Sequence, residues 1–271
     1  MVVTITRNPN LSKPQAPKAI SHELKNLYPD NTWWTGLAPK NCPGFCKERN
    51  VLLALPLLNL KICSRQDVLD YFNNSWTLTE LLFRGLKTEE TYIRPPYHGL
   101  RHPMIFYYGH PAVLYVNKMR LAGLRKDSFN IYLEKVLETG VDEMSWDDMS
   151  KNEMSWPKVS EVREYRKTVY DFVINFIQNC PDLDLPTEKR NFLTGSPLWS
   201  LWMGMEHEKI HFETSSVLIR ELPVELVETP NYWAGLHPSA KEKFHLKPIA
   251  GADYSEAHWK TQKGQQRSEE R

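Results

Sequence analysis

The amino-acid sequence predicts an all-α protein built on a four-helix bundle. Two observations carry this. Four long stretches repeat their apolar residues at three- and four-residue steps, each starting on a recognisable cap or proline. No run of alternating apolar and polar residues marks a convincing strand. A chain of 271 residues with 41% apolar content is long enough to fill one large core.

Residues 1–60 carry seven of the 19 prolines and show helical periodicity only in short patches. Proline fixes φ and donates no backbone hydrogen, so this region is expected to be an extended arm with short turns. Trp33, Trp34 and the apolar run from Val51 to Leu58 are too hydrophobic to stay in water, so the arm should pack on the bundle. The bundle itself is expected over residues 61–235.

The first helix should start at Ser64, where Asp67 stands at capping-box spacing, and stop near Gly85. Its buried face is read as Val68, Leu69, Phe72, Trp76, Leu82 and Phe83. The second is expected to follow Pro111, a residue tolerated in a first turn, through Val113, Leu114, Val116 and Leu121. The third should begin near Ser160, with Val162, Tyr165, Val169, Phe172, Val173, Phe176 and Ile177 as its stripe. Ser196-Pro197 is the strongest start signal and opens a fourth helix that reaches about Leu222, before Pro223.

The linkers, residues 86–110 and 125–159, are long enough that they should hold short elements or functional residues. In the second, Glu143-Met144-Ser145-Trp146 is nearly repeated at Glu153-Met154-Ser155-Trp156, which suggests two aromatic anchors for one loop. After residue 236 the composition turns polar, and the last segment is expected to be a disordered tail.

Charge narrows the function. With 34 Lys+Arg against 33 Asp+Glu, neither sign is in excess, which argues against nucleic acid or an anionic membrane as partner. The longest apolar run falls well short of a span, and the first residues lack the apolar block of a secretory signal, so a cytoplasmic protein is expected. Four cysteines in this length do not imply a disulfide scaffold, and Cys42, Cys46, Cys63 and Cys180 are read as reduced thiols.

The sharpest chemical signal lies in the fourth helix, at His207-Glu208-Lys209-Ile210-His211. Four residues make about 400° of rotation and about 6 Å of rise, so both imidazoles leave one face a turn apart. Such a pair can share a cation, with Zn, Fe, Cu and Ni all suited to neutral imidazole. Two unrelated core histidines would each need a buried partner, which makes that reading the weaker one. His110, placed by this reading at the mouth of the second helix after Tyr107 and Tyr108, is the best-positioned third ligand. His98 and His102 are each read first as an ordinary surface histidine, with a loop or supporting role behind the ligands as the alternative. Glu213 and Glu208 point about 200° and 100° away from their neighbouring histidines, so each suits holding a histidine or substrate from behind the ligands. The spacing also matches the H-E-x-x-H of zinc proteases, with Glu208 as general base. Its longer form fails here, because Thr214 and Val217 stand where Gly and a third His belong.

Several segments resemble the N-terminal region of ovothiol-type sulfoxide synthases. They are Arg94-Pro95-Pro96-Tyr97-His98-Gly99-Leu100-Arg101-His102-Pro103, Phe106-Tyr107-Tyr108-Gly109-His110-Pro111-Ala112-Val113, the stretch Glu138 to Asp148, and Met205-Glu206-His207 through Glu213-Thr214-Ser215. The similarity covers roughly residues 60–235. It implies a DinB-like four-helix bundle holding a mononuclear non-haem Fe(II). It also implies O2-dependent coupling of cysteine sulfur to the histidine imidazole, as in the related ergothioneine enzymes. The family's H-x3-H-x-E falls on His207, His211 and Glu213, and its upstream histidine falls on His110. Family members continue into a formylglycine-generating-enzyme-like domain that shares the substrate pocket. The expectation is therefore a chain lacking a C-terminal catalytic domain. The alternatives are a catalytically inactive metal-binding bundle and a zinc hydrolase acting through Glu208.

Overall fold

The structure, a computed structural model, describes residues 33–59, 62–96, 101–138 and 155–235. The elements below all belong to the unit that ends at Trp233. Among the described residues, the short strands β1 (Phe45–Cys46) and β2 (Val51–Leu52) are followed by six α-helices. These are α1 (Arg65–Phe83), α2 (Glu89–Ile93), α3 (Met104–Leu121), α4 (Ile131–Glu138), α5 (Val159–Asn179) and α6 (Pro197–Ile219). The described residues are all-α apart from the β1–β2 hairpin, which pairs Phe45 with Leu52 and Cys46 with Val51. None of the described helices is long and apolar enough to cross a membrane.

The four long helices form the bundle. α3 packs most extensively on α6 and then on α5, while α1 closes the ring against α6 and α5. α1 starts as its sequence dictates: the Ser64 backbone donates to Asp67 Oδ2 at 2.7 Å, and the Asp67 backbone donates to Ser64 Oγ at 3.1 Å. α6 starts on Ser196, whose Oγ accepts from the Trp199 backbone at 3.3 Å, with Pro197 in its first turn.

The second expected helix is corrected. α3 begins at Met104, seven residues before Pro111, so Pro111 lies inside the helix and His110 is not at its mouth. Every residue from Met104 to Val113 is buried, so no polar face breaks the pattern and the apolar stripe that would reveal the first turns is absent. The long linkers do hold short helices, α2 in the first and α4 in the second.

Residues 33–59 lie along α1. Buried Asn74 donates through Nδ2 to the Pro43 and Leu53 carbonyls at 2.7 and 2.8 Å and accepts from the Leu55 backbone at 2.9 Å. Thr77 donates to the Leu37 carbonyl at 2.9 Å. Below these bonds Cys42 and Leu52 pack with Leu78 and Leu81. This accounts for two of the polar residues buried on α1: Asn74 and Thr77 satisfy the backbone of the segment that covers them. All four cysteines are free thiols. The first half of the proposed arm (residues 1–32), the tail after residue 235, and residues 143–146 of the near-repeat lie outside the described residues.

Two close approaches set the geometry of α3. On α6, Gly204 faces the ring of Tyr115, which occupies the space a Cβ would need. On α3 itself, Gly109 faces Leu137 of α4 and Val162 of α5, again with no room for a Cβ. The first contact brings α3 close to α6, and the second holds the residue before His110 against α4 and α5.

Candidate metal centre

His110 from α3 meets His207 and His211 from α6. Their ring centroids lie 4.9, 4.7 and 4.3 Å apart, and one nitrogen from each ring falls within 4.8 Å of the others. His207 Nε2 and His211 Nε2 are 3.0 Å apart. That is the separation of two cis ligands held at roughly 2.1 Å from one ion, since 2.1 × √2 is about 3.0. Only one proton fits between the two nitrogens, whereas a cation can accept both lone pairs.

His110 Nδ1 lies 2.6 Å from the carbonyl oxygen of Leu137. A carbonyl only accepts, so Nδ1 carries the proton and Nε2 carries the lone pair. Phe106 stacks on the other side of the ring at 4.8 Å, with His102 4.3 Å beyond it and Trp156 against both. The ring of His110 is thus held in both tautomer and plane.

Burial pushes His207 down to about 2, helped by His211, His110 and Lys118. Burial and then His110 push His211 down to about 3. Both imidazoles are therefore neutral at physiological pH, the form in which they bind a cation. Three imidazole nitrogens, one oriented by a backbone carbonyl, fit Fe(II) or Zn.

The rings line a cleft of about 1090 Å³ between α3 and α6. Val113, Leu114 and Asn117 continue its wall along α3, and Met203 and Thr214 continue it along α6. Lys118 and Arg101 bring positive charge to it.

The remaining expected residues fall in different places. Tyr107 lines the cleft, its ring 6.0 Å from His211 and its hydroxyl accepting from the His102 backbone at 3.3 Å. Tyr108 lies away from the cleft and donates to Glu80 Oε2 at 2.9 Å. Glu213 is exposed and absent from the cleft wall. His98 is outside the described residues.

Glu208 is fully buried and does not reach the cleft. Its Oε1 lies 3.4 Å from the guanidinium of buried Arg166, which also donates to Glu80 Oε1 at 2.7 Å and to the Tyr108 carbonyl at 2.8 Å. The guanidinium stacks 4.1 Å from the Trp76 ring. A carboxylate inside this triad has no path to a substrate in the cleft, so the geometry gives it an anchoring role instead of that of a general base.

Sequence reasoning missed the Leu137 carbonyl, Lys118 and the Glu80–Arg166 pair. A backbone acceptor leaves no side-chain signature, although Gly109 beside His110 was a sign that another element comes close. Arg166 fell within a helix stripe read only for its apolar members.

Over 125 residues the chain is 30% identical to "Ergothioneine biosynthesis protein 1" of Schizosaccharomyces pombe, an alignment that covers 43% of this chain and 15% of that protein. Residues 71–215 match the family described as the DinB superfamily, a span that runs from α1 through all three histidines. With more than half of its length in that match, the chain belongs to the DinB superfamily.

Proposed function

We propose that this chain carries the iron centre of an ovothiol-type sulfoxide synthase, with His110, His207 and His211 holding Fe(II). The observation that carries the reading is the convergence of three imidazoles from two helices on one open cleft. Similarity to a protein of ergothioneine biosynthesis supports the same chemistry, as do the family segments around His110 and His207.

The overall reaction balances as cysteine thiol plus histidine imidazole C–H plus O2 giving the S-linked sulfoxide and water. One C–S bond and one S=O bond form while S–H and C–H bonds break. The substrates lose four electrons, and O2 takes them. When bound, Fe(II) supplies the electron relay to O2 and the Lewis acidity that favours thiolate over thiol.

The protein's own contribution is orientation. The Leu137 carbonyl keeps the proton of His110 on Nδ1 and so turns Nε2 toward α6. Tyr107 and Met203 narrow the cleft beside the rings. In this proposal the rest of the substrate pocket comes from a further domain, in line with the small share of the relative that this chain matches. Zn is the alternative metal for the same donors, and an inactive metal-binding bundle is the alternative role.

The test supplies anaerobically reconstituted protein with cysteine, histidine and O2 and looks for the coupled sulfoxide by mass spectrometry. Product that vanishes on His207→Ala supports the reading. Fe(II) uptake with no product, alone or with a relative's C-terminal portion added, leaves the inactive bundle as the better account.

A further inference from the structure

The cleft wall is unevenly charged. Among the described residues, Arg101, Lys118, Arg120, Arg125 and Lys126 line it against the single carboxylate of Glu138, in a chain whose formal net charge is only +1. Some of these charges have local partners. Arg120 lies 3.7 Å from Glu134, and Arg125 sits 3.6 Å over the Phe129 ring while donating to the Asp127 carbonyl. Glu138 accepts from Asn117 at 2.8 Å.

Lys118 differs. It is half-buried, its ammonium lies 5.7 Å from the Trp199 ring, and among the described residues it has no carboxylate partner. A half-buried ammonium without a counter-ion loses hydration that a ligand's anion can replace. Direction matters as well. Lys118 stands eight residues beyond His110, about 12 Å of helix rise, and helical side chains lean toward the N-terminus, so its stem leans back toward the three rings.

We propose that Lys118 is the specificity-determining residue for the far end of the ligand: the cleft selects a small thiol that carries a carboxylate several bonds from its sulfur. This rests on the metal reading above and adds to it which thiols the cleft accepts. The carboxylate lies beside Lys118, and the sulfur lies toward the histidines.

The test uses Co(II)-loaded full-length protein under anaerobic conditions at low salt, where thiolate binding gives a near-ultraviolet charge-transfer band. Two probes are titrated, 4-mercaptobutyrate and its neutral amide, which differ only in the charge at the far end. The proposal expects the acid to bind at least tenfold more tightly than the amide. That ratio should fall toward one in Lys118→Met and survive in Lys118→Arg. Equal affinities in the wild type, or a ratio unchanged in Lys118→Met, overturn it while leaving the metal reading intact. Failure to take up Co(II) overturns the metal reading, and this proposal falls with it.

Discussion

The Nδ1 of His110 and the carbonyl oxygen of Leu137 are 2.6 Å apart, and the Leu137 side chain packs against Gly109, the residue before that histidine. One short helix thus supplies both a hydrogen bond and a steric stop to the candidate centre. Gly109→Ala should force Leu137 away and release the His110 ring. Losing such support costs about 10–100-fold in metal affinity, and overpacking costs about 1–3 kcal/mol in stability. Parallel Co(II) titration and urea unfolding check this, and unchanged affinity would show that α4 does not position the ring.

Gly204 predicts a related effect from the other side. Its missing Cβ admits the Tyr115 ring between α3 and α6. Gly204→Ala should push the two helices apart, lower the melting temperature and weaken metal binding at a site a full turn away. A variant that melts like the wild type and binds Co(II) equally well would mean that this contact does not set the helix spacing.

The buried triad makes a sharper prediction about stability. Arg166 sits between Glu80 and Glu208 with no exposed surface. Removing the shared cation leaves two buried carboxylates uncompensated, so Arg166→Met should cost about 3–5 kcal/mol in urea unfolding. Glu208→Gln keeps the shape and removes one charge, so it should destabilise less and still bind metal. If Glu208→Gln instead abolished a peptide-cleaving activity at full stability, the hydrolase reading would return.

The histidines also predict how metal-free stability depends on pH. His207 and His211 are held at about 2 and about 3, below an ordinary imidazole value of 6.5. Between those values the unfolded chain binds more protons than the folded one, so stability is full above about 6.5 and falls as the pH drops below it. Each group contributes a slope of about 1.4 kcal/mol per pH unit over that window. The wild type should therefore lose more stability from pH 7 to pH 5 than a His207→Leu/His211→Leu variant does. Identical profiles would mean that the two rings are not held neutral by burial.

Much of this arrangement is written locally in the sequence. Ser64 with Asp67 and Ser196 with Pro197 specify where α1 and α6 begin, and a four-residue spacing puts His207 and His211 on one face. What the sequence hid has physical causes. α3 is buried on every side through its first half, so it shows no stripe, and Pro111 looked like a start because proline is usually found there. α4 is only eight residues long and its functional atom belongs to the backbone. Glu208 read as chemistry because of its spacing, and only tertiary packing reveals that Arg166 claims it.

The central claim is that three imidazoles from α3 and α6 share one cation. Anaerobic Fe(II) titration of the wild type and of His110→Ala, with circular dichroism to verify that both are folded, tests it most directly. One equivalent bound per wild-type chain, and at least a hundredfold weaker binding in the folded variant, is the predicted result. Full-strength binding in His110→Ala would contradict it.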